Sequence, residues 1–177
     1  LDDGIPGADH VADAGPLDHR LESARLRDRF EAILRQEALT VALVQGSCVA
    51  GGCGLATACD FAVAADDARF LYSEVRIGFV AALVATYLTL RLRALLLDPE
   101  FVPAARALEL GLVARVVARA ELEAEGERMA ASILAKGSSE SIARTKRLLL
   151  ELAGRRLDER LDLAAEANAD ARSTPDC

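Results

Sequence analysis

The sequence predicts an α/β fold with an all-helical C-terminal third. Two short runs are typical of buried strands, TVALVQ at 40–45 and FAVAA at 61–65. A glycine-rich turn and a short helix of small residues separate them. That order favours a right-handed crossover between parallel strands. Helical patterns alone follow residue 119, so we expect residues 1–118 to form an α/β core and residues 119–177 a helical region of the same domain.

Composition limits the kinds of function. The chain has 177 residues, 52% of them hydrophobic, which is enough apolar material for one globular core. A formal net charge of −7 argues against nucleic acid or an anionic membrane surface as a partner. No segment reaches the roughly 18 uninterrupted apolar residues of a membrane helix. Four cysteines without a CxxC pair and two histidines argue against a zinc site. We expect a cytoplasmic protein with reduced thiols and no metal.

The first half of the chain contains a loop, a helix and the two strands. Residues 1–16 are rich in Asp, Gly and Pro and predict a loop, whereas residues 17–37 place apolar side chains at helical spacing. Gly46 ends the first strand, and the next helix is expected within CGLATACD at 53–60. The turn between them then lies at the carboxyl end of a parallel strand, where ligands of α/β proteins usually bind.

The second half is mostly helical. Residues 80–97 are almost wholly apolar and predict one buried or interface helix, which Asp98 and Pro99 terminate. A helix at 104–110 begins after Pro103 and stops at Gly111, before a strand at 112–117. Three further helical stretches follow, with interruptions near 136–138 and at Gly154.

The glycine turn at 46–54 admits more than one interpretation. A Walker phosphate loop requires a Gly-Lys-Ser/Thr ending, and the dinucleotide fingerprint requires GxGxxG; neither is present. A tight packing turn is the ordinary role of such glycines. The third interpretation is an oxyanion hole, in which a backbone N–H at a helix start faces a carbonyl oxygen that gains negative charge.

The run VALVQGSCVAGGCGLATACDFAVAADDARFLYSEVRIGF resembles the signature of the crotonase family, the enoyl-CoA hydratases and isomerases. ALELGLVARVV and ARTKRLL extend the resemblance toward the C-terminus. It implies the ββα superhelix core of the ClpP/crotonase fold and a C-terminal helical trimerisation region. It also implies an acyl-CoA thioester substrate, no cofactor beyond the CoA carried by that substrate, and a homotrimer or hexamer. Relative to typical members, we expect the chain to be truncated at both ends, without the early strands.

The resemblance also implies roles for individual residues. Gly51 matches the glycine whose amide forms half of the family's oxyanion hole, and Ala8, in the Gly-Ala-Asp loop, matches the other half. Glu74 matches the glutamate of the Glu-x-x-x-Gly motif and is the expected catalytic acid/base. Further contacts with the substrate are expected from the neighbours of these residues: Gly7, Asp9, Gly52, Gly54 and Ser73.

One departure from the family pattern affects the predicted reaction. Family hydratases carry a second glutamate at the position where this chain has Gly54. Hydration would then require Glu74 to serve both water and C2, or a substitute donor such as Tyr72 or Ser73. The surrounding motif is similar to hydratases of short or branched enoyl-CoAs, including methylglutaconyl-CoA hydratase, and predicts an enoyl-CoA hydratase. The alternatives are a 3,2-enoyl-CoA isomerase that uses a single glutamate, and a non-catalytic paralogue or fragment.

Overall fold

A computed structural model describes residues 16–172. Seven α-helices occur in this range: Pro16–Leu34 (α1), Gly51–Ala58 (α2), Ala82–Ala85 (α3), Ala104–Leu110 (α4), Leu122–Lys136 (α5), Ser139–Leu152 (α6) and Leu157–Arg172 (α7). Six short strands accompany them: Val41–Val44 (β1), Ser47–Val49 (β2), Phe61–Ala65 (β3), Arg69–Leu71 (β4), Val102–Pro103 (β5) and Arg115–Val117 (β6). No helix in the described range is both long and apolar enough to cross a membrane.

The first sheet is parallel, with the strand order β1-β3-β6. β3 is its central strand and pairs Ala64 with Val44 on one side and with Val116 on the other. Val63, Ala64 and Ala65 are fully buried, as expected for a strand covered on both faces. The predicted parallel pairing of the two apolar runs is confirmed.

The second sheet has the order β2-β4-β5 and was not predicted from the sequence. β2 and β4 are parallel, with Val49 opposite Leu71, whereas β4 and β5 are antiparallel. Each strand has only two or three residues, too few for an alternating pattern to be recognised. Hydrogen bonds across the sheet stabilise these strands. The pairing extends one residue beyond β2, where the Ala50 N–H donates to Leu71 O at 2.8 Å.

Most predicted helices are confirmed. α1 falls within one residue of its expected start, and α4 covers residues 104–110 as predicted. Gly111 ends α4 in the left-handed conformation, with φ 76°. The three C-terminal helices α5, α6 and α7 are interrupted where the sequence indicates, and α5 packs against β1 and β3.

The prediction of one continuous helix over 80–97 is wrong. The segment instead forms the short helix α3 and a 3-10 helix, Leu90–Leu96. Its end residues Val80 and Leu97 are each 80% exposed. Apolar residues on every side give the segment no preferred buried face, and the Thr86 hydroxyl donates to Leu83 O at 2.6 Å, a local bond that competes with helical pairing.

A polar cluster ties α6 to the edge of the parallel sheet. Asp60 accepts hydrogen bonds from the backbone and hydroxyl of Thr40 and from Lys146 Nζ, at 2.7–2.8 Å. The Asp60 and Lys146 side chains are only 21% and 12% exposed. We expect Asp60→Ala to lower the free energy of unfolding by about 2 kcal/mol, because it leaves a largely buried ammonium without its charged partner. Urea unfolding checks this, with Asp67→Ala as an exposed control; equal stability of the two variants would contradict it.

Candidate active site

The glycine turn places strained backbone at the start of α2. Ala50 precedes the helix with φ 47° and ψ −116°, a conformation that turns usually assign to glycine. It is the only non-glycine residue with positive φ in the described range. The ψ angle of Ala50 sets the direction of the Gly51 N–H, so this strain orients that amide. The first hydrogen bond of the helix runs from Gly54 N to Ala50 O at 3.1 Å. The Gly51 N–H lies before this first bond and has no acceptor among the described residues.

We expect Ala50→Gly to raise the free energy of unfolding by about 1 kcal/mol, because glycine adopts positive φ without the steric cost that alanine has. Thermal or urea unfolding measures the change. Ala56→Gly, inside the same helix, is the matched control and should lower stability by a similar amount. A loss of stability in Ala50→Gly would show that the positive φ is not a feature of the folded protein.

Glu74 opens a 3-10 helix, Glu74–Ile77, that directly follows β4. Gly78 ends this helix with φ 75°, and Phe79 N donates to Glu74 O at 2.8 Å. The residue is half-buried, and its Oε2 atom is buried without a hydrogen-bond partner among the described residues. Arg76 is not that partner, since its guanidinium contacts Pro99 O at 2.7 Å and Glu100 at 3.8 Å. A buried carboxylate oxygen without a protein partner is costly, so this atom is suited to meet a ligand.

The topology brings Gly51 and Glu74 to the same end of the second sheet. β2 and β4 are adjacent and parallel, and Gly51 and Glu74 follow their paired ends Val49 and Leu71 by two and three residues. A free amide and a carboxylate therefore face the carboxyl ends of neighbouring parallel strands, the usual position of ligands in α/β proteins.

Gly54 is buried against an aromatic ring. A Cβ at this position would lie 2.5 Å from Cζ of Phe30 and 3.0 Å from Cγ2 of Val84. The Tyr87 hydroxyl donates to Gly54 O at 2.9 Å, and its ring meets that of Phe30 edge-to-face at 5.8 Å. Burial raises the pKa of Tyr87 to about 12. The space that a second glutamate would need is therefore filled by Phe30.

Two further polar groups line this side of α2. The Cys53 thiol is fully buried and donates to Cys48 O at 2.9 Å; contact with the Cys48 thiol and burial raise its pKa, which makes it a packing residue rather than a nucleophile. Tyr72 is 2% exposed, and burial raises its pKa too. The Tyr72 hydroxyl makes no hydrogen bond of good geometry with a described residue.

The structure separates the expected site residues into three groups. Gly51 and Gly52 are accessible at the start of α2, with Glu74 nearby. Gly54 and Ser73 are buried, so their predicted contact with substrate stays a prediction. The expected residues of the Gly-Ala-Asp loop lie outside the described residues: Gly7, Ala8 and Asp9.

Phe30 and Tyr87 are the site neighbours that sequence reasoning missed. A glycine inside a helix indicates close packing, so Gly54 indicates that a large side chain contacts the helix at this position. The sequence does not say which one, because Phe30 lies 24 positions earlier. Within residues 16–172, no cluster of three or more metal-ligating side chains is present.

The family model described as enoyl-CoA hydratase/isomerase matches residues 8–176. A putative enoyl-CoA hydratase of Thermus thermophilus is 39% identical over 95% of this chain and 68% of its own length. A human mitochondrial delta(3,5)-delta(2,4)-dienoyl-CoA isomerase is 31% identical over 86% of this chain, which spans 48% of that protein. A relative named as a hydratase and a relative named as an isomerase therefore both align with most of this chain.

A crystal structure of an enoyl-CoA hydratase from Mycobacterium smegmatis superimposes with a TM-score of 0.81 at 32% identity. It covers 93% of this chain, and the chain spans 65% of that structure. The crotonase-like fold predicted from the sequence is thus confirmed. On the family match, the identities and the shared fold together, the chain belongs to the enoyl-CoA hydratase/isomerase family.

Proposed function

We propose that the chain is an enoyl-CoA hydratase that adds water across the 2,3 double bond of a short or branched enoyl-CoA. The observation that carries this proposal is the buried, unpartnered Oε2 of Glu74, at the same end of the second sheet as the free amide of Gly51. Both groups have the chemistry that a thioester enolate requires, a proton carrier and an oxyanion donor. The name of the Thermus thermophilus relative supports hydration.

In this mechanism the thioester oxygen accepts a hydrogen bond from the Gly51 N–H. Ala8 is the proposed second donor. One oxyanion-hole donor typically contributes about 3 kcal/mol to stabilising the transition state. The amide at the start of α2 also has the positive end of the helix dipole behind it, which favours the negative charge of an enolate.

A single carboxylate can balance the protons of hydration. Water forms a bond to C3 while the Glu74 carboxylate accepts one of its protons, and the π electrons move to give the enolate. The enolate then collapses, and the protonated Glu74 gives the same proton to C2. The carboxylate is restored at the end of each cycle, so a second glutamate at Gly54 is not required by stoichiometry.

Isomerisation of a 3-enoyl-CoA to a 2-enoyl-CoA is the second candidate, and the packing at Gly54 favours it. Phe30 leaves no room there for a second carboxylate to hold water. Glu74 would remove a proton from C2 to form a dienolate and return it at C4. The isomerase name of the human relative is consistent with such proton transfer.

Two absorbance assays on the purified chain test the proposals. Hydration removes the conjugated enoyl-thioester absorbance of crotonyl-CoA or a 3-methyl-branched enoyl-CoA, whereas isomerisation of a 3-enoyl-CoA creates it. Loss of absorbance with the 2-enoyl substrates supports the hydratase, and a gain with the 3-enoyl substrate alone supports the isomerase. No change in either assay from a folded sample would refute both and leave a non-catalytic family member.

The cytoplasmic location and the homotrimer or hexamer expected from the family resemblance stay proposals of the same kind. Sedimentation analysis of the purified chain tests the assembly: a single species of three or six chains supports it.

A further inference from the structure

A cavity of about 660 Å³ lies between α1, α3 and α6. This volume is within the range of pockets that bury small ligands. Its apolar lining consists of Phe30, Leu34, Leu83, Tyr87, Ala143 and Leu150. Charged side chains of α1, of the residues that follow it and of α6 also line it, and several are paired, such as Arg35 with Glu31 and Arg147 with Glu37. Because several of these charges are paired with one another, the apolar side chains are the part of the lining that suits a ligand, and they suit an alkyl chain.

Phe30 forms the wall between this cavity and α2. One edge of its ring contacts Gly54, and the ring also borders the cavity. The side chain is 3% exposed, so no open passage runs past it. Tyr87 supports the ring from the side, and its hydroxyl is fixed by Gly54 O.

The aromatic pair lies next to the proposed reaction centre. Gly54 follows Gly51 by one helical turn on the same face of α2, and α1 covers that face: Leu26 lies 3.9 Å from a Cβ built at Gly51, and Phe30 contacts Gly54. One turn along α2 from the Gly51 amide, this face therefore meets Phe30, with Tyr87 beside it.

We propose that Phe30 limits the length of the acyl chain by closing the site off from the cavity between α1, α3 and α6. The inference rests on the proposed function and names its substrate class, acyl-CoA thioesters with short acyl groups. When the ring is removed, the cavity becomes space for a longer alkyl chain.

The test compares binding of two unreactive saturated thioesters, butyryl-CoA and dodecanoyl-CoA, by calorimetry. For the wild-type chain we expect butyryl-CoA to bind more tightly than dodecanoyl-CoA. Phe30→Ala should raise the affinity for dodecanoyl-CoA relative to butyryl-CoA by roughly tenfold or more, because several methylene groups then find apolar surroundings. Phe30→Leu, which keeps more of the packing, should give an intermediate ratio of the two affinities. This variant also keeps the inference testable if Phe30→Ala does not fold.

Leu34→Ala is the matched control, since Leu34 borders the same cavity without belonging to the wall at Gly54. It should leave the ratio of the two affinities unchanged. An unchanged ratio in the folded Phe30 variants, or equal affinities in the wild type, would overturn the inference. Turnover of crotonyl-CoA, measured in parallel, tests the proposed function separately. Normal binding of butyryl-CoA without turnover would reject the proposed hydration. The ratio of the affinities for the two saturated thioesters would still decide whether Phe30 limits the length of the acyl chain.

Discussion

Replacement of Glu74 by glutamine is expected to lower kcat by roughly 10²–10⁴-fold, the range for loss of a general acid/base. The amide has nearly the same shape as the carboxylate but cannot carry a proton between water and C2. Affinity for butyryl-CoA should change little, because Gly51 and the surrounding walls are untouched. Initial rates on crotonyl-CoA and calorimetric binding give the two quantities.

Glu100→Gln is the matched control. Glu100 pairs with Arg76, two residues after Glu74, and its side chain is 79% exposed. We expect its rate and stability to equal those of the wild type. Since Glu74 Oε2 is buried without a partner among the described residues, Glu74→Gln should not lower the free energy of unfolding. A Glu74→Gln variant that loses stability but keeps its kcat would show that the carboxylate has a structural role only.

Gly54→Ala should lower the free energy of unfolding by about 1–3 kcal/mol, the cost of adding a methyl group to a packed core. In an ordinary helix interior the same change stabilises by about 1 kcal/mol. The sign is reversed here because the new Cβ would lie 2.5 Å from Phe30 Cζ, and the ring is confined by Tyr87.

Gly52→Ala provides the comparison within the same helix. Its new Cβ would meet only Cys48 Sγ, at an ordinary 3.7 Å. This variant should be at least as stable as the wild type in urea unfolding. Combining Gly54→Ala with Phe30→Leu should recover part of the loss, with a coupling energy of about 0.5–3 kcal/mol. If Gly54→Ala were as stable as Gly52→Ala, the close contact with Phe30 would not exist.

The packing at Gly54 restricts which substitutions can add a second carboxylate to the site. Introducing a second glutamate by Gly54→Glu does not restore a two-carboxylate site, because the side chain meets the Phe30 ring before it reaches solvent or substrate. A smaller residue at position 30 has to accompany it. On the proposed function, the contact between α1 and α2 thus limits the site to one carboxylate.

Sequence patterns predicted those elements that carry their own local signals. β3 is a run of five apolar residues, of which the last four are buried, and α4 has Pro103 before it and Gly111 after it, so their bounds agree with the structure. The fold family and the roles expected for Gly51 and Glu74 came instead from a resemblance along a continuous motif. That resemblance could not show that Glu74 lacks a protein partner.

The remaining features depend on contacts between distant parts of the chain. β2, β4 and β5 are stable only as a sheet, and residues 80–97 have no polar face to indicate which side is buried. The wall at Gly54 needs Phe30 from α1 and Tyr87 from the segment after α3. No local pattern around Gly54 specifies either side chain, which is why the sequence indicated a missing glutamate but not what fills its place.

Proton transfer by Glu74 to C2 is the central claim, and nuclear magnetic resonance of the crotonyl-CoA reaction in D₂O tests it most directly. With the wild-type chain we predict 3-hydroxybutyryl-CoA that carries one deuterium at C2, and with Glu74→Gln formation of this product that is slower by roughly 10²–10⁴-fold. Product that gains deuterium at C2 equally fast with Glu74→Gln would contradict the account, because some other group would then deliver the proton.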